Sequence, residues 1–236
     1  TITSDAPAIF PLGETVVTFT ATDDSGNKSQ GTTTVTVIDT TPPDISITGV
    51  SGSNSELGKD EYWNDSNIVV SFSASDICDA DLDIVSNIGT VDKIAGTVTI
   101  DPYLLVGEVT VTITATDDSG NSNSASTSFT VVLKVPEGSL ILKPESLNVN
   151  PGVLTAFVVF PAPYSALTIT DAKCDGAPLD NLNFDEDEGK AILKFRRAQM
   201  TEIPLDTYFV VRGTFTWNGV SVPFQGSDSI MKVLDK

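Results

Sequence analysis

Over 236 residues the chain carries 32 acidic against 13 basic side chains, a formal charge of −19, and no histidine. That anionic balance repels nucleic acid and acidic membranes, and the missing imidazoles remove the usual general base, triad member and transition-metal ligand together. No apolar run reaches the roughly eighteen residues needed to cross a bilayer as a helix, so composition argues against an enzyme, a nucleic-acid binder and a membrane-inserted protein.

The first element is an alternating run, Gly13-Glu14-Thr15-Val16-Val17-Thr18-Phe19-Thr20-Ala21-Thr22, which breaks into Asp23-Asp24-Ser25-Gly26-Asn27 and resumes alternation over 32–39. Period two with β-branched residues around a Gly/Asn/Asp turn predicts a strand–turn–strand hairpin. Residues 1–39 hold pattern for three strands, about half a sandwich, whose apolar face and strand edges need a cover. Residues preceding Thr1, or strands from a neighbouring subunit, are the two expected covers. A start on Thr1 without Met or a signal sequence reads as a processed or cut end.

Asp39-Thr40-Thr41-Pro42-Pro43-Asp44 cannot continue a strand ladder and marks a boundary. Beyond it, 45–48, 68–74, 82–85, 91–94, 97–100, 109–116 and 125–133 read as strands, and this count over about ninety residues fits an immunoglobulin-like sandwich. Within it, Gly107-Glu108-Val109-Thr110-Val111-Thr112-Ile113-Thr114-Ala115-Thr116-Asp117-Asp118-Ser119-Gly120-Asn121 repeats the first hairpin 94 residues further on. Lys134-Val135-Pro136-Glu137-Gly138 opens a third stretch with candidate strands 140–142, 154–160, 167–170, 191–196, 208–216 and 221–224. There Asn218-Gly219, between two alternating runs, predicts a type I′ turn. Helix is expected only as a turn or two over 101–105 and 195–200. The expected architecture is all-β: tandem immunoglobulin-like sandwiches, the first incomplete, with domains 1–41, 42–135 and 136–236.

Oxygen-rich loops are the only candidates for chemistry. Calcium takes six to eight oxygen ligands, commonly from Asp- and Asn-rich loops. In an immunoglobulin-like topology the start of the first strand, the loop after the second and the loop before the last share one end. These positions hold Asp39 and Asp44, then Asp76 and Asp79, then Asp117, Asp118 and Asn121. Asp39, Asp76 and Asp117 are the leading ligands; Asp23, Asp24 and Asn27 offer the same types in the first hairpin. The competing readings are a plain turn, which favours the same residues, and a solvated acidic cluster. Tyr62-Trp63 reads either as a sugar-stacking platform or as core. The acidic run 185–188 reads as solvated, and Lys194, Arg196 and Arg197 as its local counterweight. Cys78 and Cys174 fall in different expected domains and read as free, mostly buried thiols. No nucleophile–base pair or Cys/His metal spacing is found.

The stretch Phe10-Pro11-Leu12 together with residues 13–27 resembles the closing half of a hyalin-repeat (HYR) domain of the immunoglobulin-like superfamily. Residues 107–121, with the Asp-Thr-Thr-Pro-Pro lead-in at 39–43, resemble tandem immunoglobulin-like modules of bacterial surface adhesins, while the C-terminal stretch is only loosely similar to prokaryotic surface-protein domains. The resemblance implies an extracellular sandwich used for adhesion or as a stalk, with calcium between modules, although the cysteine pair of animal members is missing. The expectation is therefore a structural or adhesive protein of a cell surface, prokaryotic, forming a calcium-stiffened stalk or fibre. Its expected partners are other copies of itself, neighbouring surface-protein domains or a surface polysaccharide. A strand-complemented filament and a carbohydrate-binding accessory region of a secreted enzyme are the alternatives.

Overall fold

The computed structural model describes residues 1–236 apart from 104, 144–145, 149–151, 162–163, 165–166, 186–187, 201–207, 230–231 and 235–236. It is an all-β protein of tandem immunoglobulin-like sandwiches, the first one incomplete. Twenty strands and one 3₁₀ turn make up the regular structure among the described residues. By contacts the chain forms two compact units: Thr1–Ser46 with Phe72–Val85 and Ile113–Ala125, and Ile47–Ser71 with Ser86–Thr112 and Ser126–Lys236.

The N-terminal strands are β1 (Ile2–Ser4), β2 (Gly13–Thr22) and β3 (Lys28–Val37), an antiparallel sheet in that order. Alternation puts Ile2, Val17, Phe19, Ala21, Val35 and Val37 on one face and a threonine ladder on the other. Within the apolar face Val17 is 2% exposed, but Phe19 is 44% exposed.

The next strands are β4 (Asp44–Ser51), β5 (Glu61–Trp63), β6 (Ile68–Ser75), β7 (Asp83–Ser86), β8 (Thr90–Asp92), β9 (Thr97–Ile100), β10 (Gly107–Thr116) and β11 (Ser122–Lys134). A four-stranded sheet runs β4-β6-β9-β8. Val109, Val111, Ile113 and Ala115 along β10 are all buried, as the alternation requires. Threonine and serine hydroxyls lace the outer face in pairs, Thr110–Ser128 and Thr112–Ser126 at 2.8 and 2.9 Å. The strand expected over 91–94 stops at Asp92, because Asp92 Oδ1 accepts the amides of Ile94 and Ala95 and turns the chain, leaving Ile94 fully exposed.

The last group is β12 (Leu140–Lys143), β13 (Ser146–Asn148), β14 (Val153–Val159), β15 (Thr168–Cys174), β16 (Ala177–Asp185), β17 (Lys190–Arg196), β18 (Tyr208–Trp217), β19 (Val220–Ser229) and β20 (Lys232–Leu234), with the 3₁₀ turn Arg197–Gln199 after β17. β16 has no counterpart in the sequence reading: Pro178, Asp180 and Asn183 interrupt its alternation, and pairing with β17, shifted by a bulge between Leu179 and Asn181, makes it a strand. The Asn218-Gly219 turn has φ of 49° and 80° at its two central residues, the I′ geometry. The core of this stretch is aromatic, with Phe160 5.0 Å from both Phe215 and Phe224 in edge-on contacts.

Strand β11 ends with Leu133 and Lys134 paired in parallel to Phe224 and Gln225 of β19, Val135 N–H donates to Gln225 O at 2.9 Å, and Leu133 and Val135 are buried in the core around Phe224. On its other side β11 takes β5 in parallel, Tyr62 opposite Val131, and Glu61 is ion-paired to Arg212 of β18. Arg196 meets Asp180 at 2.7 Å, outside the acidic run, and Glu188 of the run meets Lys190, outside the basic patch; residues 186 and 187 of the acidic run lie outside the described residues.

Candidate functional site

The two Asp-Asp-Ser-Gly-Asn loops fold identically. In the first, Asp23 Oδ1 accepts the amides of Ser25 and Asn27 at 2.9 and 2.8 Å, and Asn27 Nδ2 donates to Asp23 Oδ2 at 2.8 Å. In the second, Asp117 Oδ1 accepts Asn121 N–H at 2.7 Å and Asp117 Oδ2 accepts Asn121 Nδ2–H at 2.8 Å. The leading Asp is thus a loop brace in each copy. Hydrogen bonds from the Asn27 side chain and backbone hold the Asp23 carboxyl below its ordinary range. At Asp117 burial pulls the other way, but the Asn121 donors and the loop amides still lower it.

What separates the copies is what they gather. The first loop is exposed and braces only itself. The second collects two further segments of its unit: Asn121 Nδ2 donates to Asp39 O at 3.2 Å, Asp118 N–H to Asp79 Oδ2 at 2.9 Å, and Asn123 Nδ2 to Pro43 O at 3.1 Å. Asp76 Oδ1 accepts the amides of Cys78 and Asp79 at 2.7 and 3.0 Å, which curls its loop back toward the linker residue Asp39. The result places one ligand atom from each of Asp39, Asp76 and Cys78 within 4.8 Å of one another.

Of the sequence candidates, Asp39, Asp76, Asp79, Asp117, Asp118 and Asn121 are brought to this region. Asp44 stays exposed at the start of β4 outside the triad, and Asp23, Asp24 and Asn27 remain in the separate first hairpin. Cys78 was expected among the buried thiols; it is exposed and belongs to the triad, whereas Cys174 is buried. Its place two residues after Asp76 was the available signal. No basic side chain pairs with Asp39, Asp76, Asp79, Asp117 or Asp118 among the described residues. Desolvation first, then the carboxylates of Asp39, Asp76 and Asp117, push the Cys78 thiol upward.

The donor chemistry admits a hard cation on the carboxylates. Asp76 Oδ2 carries no hydrogen bond, and a thiol kept protonated by its anionic neighbours is a neutral bystander rather than a competing soft ligand. Cys78 is accordingly expected to alkylate with iodoacetamide more slowly at pH 8 than free cysteine, and faster in Asp39→Asn. Cys174, pushed by burial to about 12, is expected to stay unlabelled while the chain is folded. Labelling of Cys78 at the free-cysteine rate would contradict the arrangement.

The Tyr62-Trp63 platform is corrected by burial. The rings are 6% and 4% exposed, Tyr62 Oη donates to Val50 O at 3.1 Å, Trp63 Nε1 donates to Ser55 O at 3.0 Å, and Tyr62 packs edge-on against Phe129. Parallel pairing of β5 with β11 draws both aromatics inward, so neither presents an open stacking face.

Residues 2–37, the N-terminal hairpin with the strand before it, match the HYR domain family. Two curated relatives, both named hyalin, are each 33% identical to the chain. The one from Strongylocentrotus purpuratus aligns over 127 residues, 53% of this chain and 9% of the relative. That from Lytechinus variegatus aligns over 155 residues, 61% and 27%. The chain thus spans about a tenth and about a quarter of their lengths. Both relatives are sea-urchin proteins, and the expected prokaryotic source finds no support in them. Among solved structures, a 1.5-MDa bacterial ice-binding adhesin is 15% identical with a TM-score of 0.31, covering 94% of this chain and 75% of that one, a likeness that carries no functional argument.

Proposed function

We propose that this chain, whose residues 2–37 match the HYR domain family, works as an extracellular adhesive and structural element, its sandwiches forming a stalk stiffened by calcium. The observation that carries the calcium step is the meeting of Asp39 and Asp76 beside the Asp117 loop, with no basic partner among the described residues. Asp39 belongs to the Pro42-Pro43 linker, whereas Asp76 and Asp117 belong to loops of folded strands. Carboxylates concentrated in this way repel one another unless a cation lies between them. The ion would supply the electrostatic cross-link. The chain's own part is to hold the acids ready, through the Asn121 and Asn123 amides on the linker carbonyls and the Asp79 carboxylate on the Asp118 amide. The role is mechanical and non-catalytic, with other copies of the chain or neighbouring surface domains as partners.

Scattering from the chain in calcium and then in chelator, with mass-resolved sizing, tests this. Calcium is expected to narrow the spread of interatomic distances at constant mass, as a Pro-containing linker loses freedom. Indifference to chelator sinks the ion. A second reading, association through the open face of the β1–β3 sheet, is favoured by the exposure of Ile2 and Phe19, 76% and 44%; it predicts mass that grows with concentration.

A further inference from the structure

Tyr164 is 2% exposed, and its ring is held by edge-on contacts with Phe215 at 5.8 Å and Trp217 at 5.0 Å. Its hydroxyl is enclosed, yet it has no hydrogen-bond partner among the described residues. A phenol left in that state bears the desolvation penalty of its hydroxyl, and such groups are rare enough to call for a cause. Tyr164 lines a pocket of about 300 Å³, at the lower end of the roughly 300–1,000 Å³ of ligand sites. Asn64 lines the same pocket. It is 7% exposed, its Oδ1 accepts Lys134 N–H at 2.9 Å, and its Nδ2 donates to no described residue.

The rest of the wall is largely apolar, formed by Leu133, Pro136, Pro161 and the exposed ring of Tyr103. A turn sets Tyr103 in place, Asp101 Oδ1 accepting its amide at 3.1 Å. The carboxylate at the pocket, Asp65, is already paired with Lys134 Nζ at 2.7 Å. The polar groups left over are donors, Asn64 Nδ2 and the Tyr164 hydroxyl. Burial first, then Tyr103 beside it, raise the pKa of Tyr164, so its proton stays on. An exposed side chain changes rotamer readily, and Tyr103 can turn aside to admit a ligand to that hydroxyl. Donors in an apolar pocket suit a ligand that brings a carbonyl and an apolar ring but no N–H. A sugar brings hydroxyl donors and an ordinary peptide unit brings its N–H, whereas the amide of an X-Pro unit has a carbonyl and no N–H. We infer that this pocket binds an X-Pro unit from the connector between β1 and β2 of a second copy of the chain. That connector, Ala6-Pro7-Ala8-Ile9-Phe10-Pro11-Leu12, is neither strand nor helix, and both of its prolines are exposed. Extended proline segments dock on aromatic-lined sites in this manner. The contact joins two different surfaces, so it repeats from copy to copy. It rests on the reading that other copies are partners, needs no calcium, and uses a pocket lying wholly in the second compact unit.

The test is NMR titration and calorimetry on the whole chain, in chelator, with a peptide of residues Asp5–Gly13 and the same peptide with both prolines replaced by alanine. The first is expected to bind saturably, and the second at least about tenfold more weakly. Tyr164→Phe is expected to weaken the first by about three- to tenfold, the loss of one hydrogen bond. The same variant is expected to keep or raise Tm, since the ring stays and the unpaired hydroxyl goes. Tyr103→Ala, at an exposed position, is expected to weaken binding with Tm unmoved. Mass-resolved sizing of the chain is expected to show growth with concentration that Tyr103→Ala suppresses. Growth that Tyr103→Ala leaves unchanged belongs to the open β1–β3 face and overturns this inference alone. No saturable binding, equal binding of the alanine peptide, or binding untouched by Tyr164→Phe each overturns it as well. A fall in Tm for Tyr164→Phe does so too, because it reveals a partner for the hydroxyl within the chain.

Discussion

Calcium is expected to raise the unfolding midpoint of this chain, and Asp39→Asn with Asp76→Asn to erase the rise. A ligand held only by the folded state, at about a hundredfold excess over its Kd, adds roughly 2.7 kcal/mol. For a chain of this size that corresponds to roughly 5–10 °C. The double variant separates the ion from the fold. Asparagine keeps an oxygen to accept the Cys78 and Asp79 amides that Asp76 Oδ1 holds at 2.7 and 3.0 Å, while the charge that attracts the cation is gone. In chelator the variant is expected to match or exceed the parent, because it relieves repulsion among Asp39, Asp76 and Asp117. Equal midpoints for the parent in calcium and in chelator would leave only the plain acidic loop.

The second expected result uses the repeat as an internal control. Ile113 stands in β10 where Phe19 stands in β2, each four residues before the leading Asp of its loop. Ile113 is 0% exposed and Phe19 44%. Ile113→Ala is therefore expected to cost about 2–5 kcal/mol through lost transfer energy and the cavity left behind. Phe19→Ala is expected to cost about 1 kcal/mol or less, in the range of partly exposed sites. Denaturant titration of both variants, with the slope checked for change, measures the difference. Comparable losses would mean that the apolar face of the β1–β3 sheet is covered in solution, and would favour the association reading over the stalk of single chains.

The pair also shows where local reasoning stops. Period-two alternation placed β2, β3, β10 and most of β11, and Asn218-Gly219 announced its turn, because these features depend on neighbours a few residues away. The braced Asp loops were legible for the same reason, and topology alone indicated that Asp39, Asp76 and Asp117 would share one end. Alternation could not reveal β16, which is a strand only because β17 pairs with it. It could not show that Trp63 turns inward, since that follows from the parallel pairing of β5 with β11.

What the sequence by itself determined is the all-β class, the hairpin written twice and the acidic loops, each set by backbone propensity and side-chain period over short spans. Only the tertiary structure decided which copy of a shared pattern is buried and which acids meet. It also decided that Cys78 joins them while Asp44 does not. Burial and juxtaposition depend on what packs opposite a residue, and that is supplied by strands remote in the chain whose pairing no local pattern encodes.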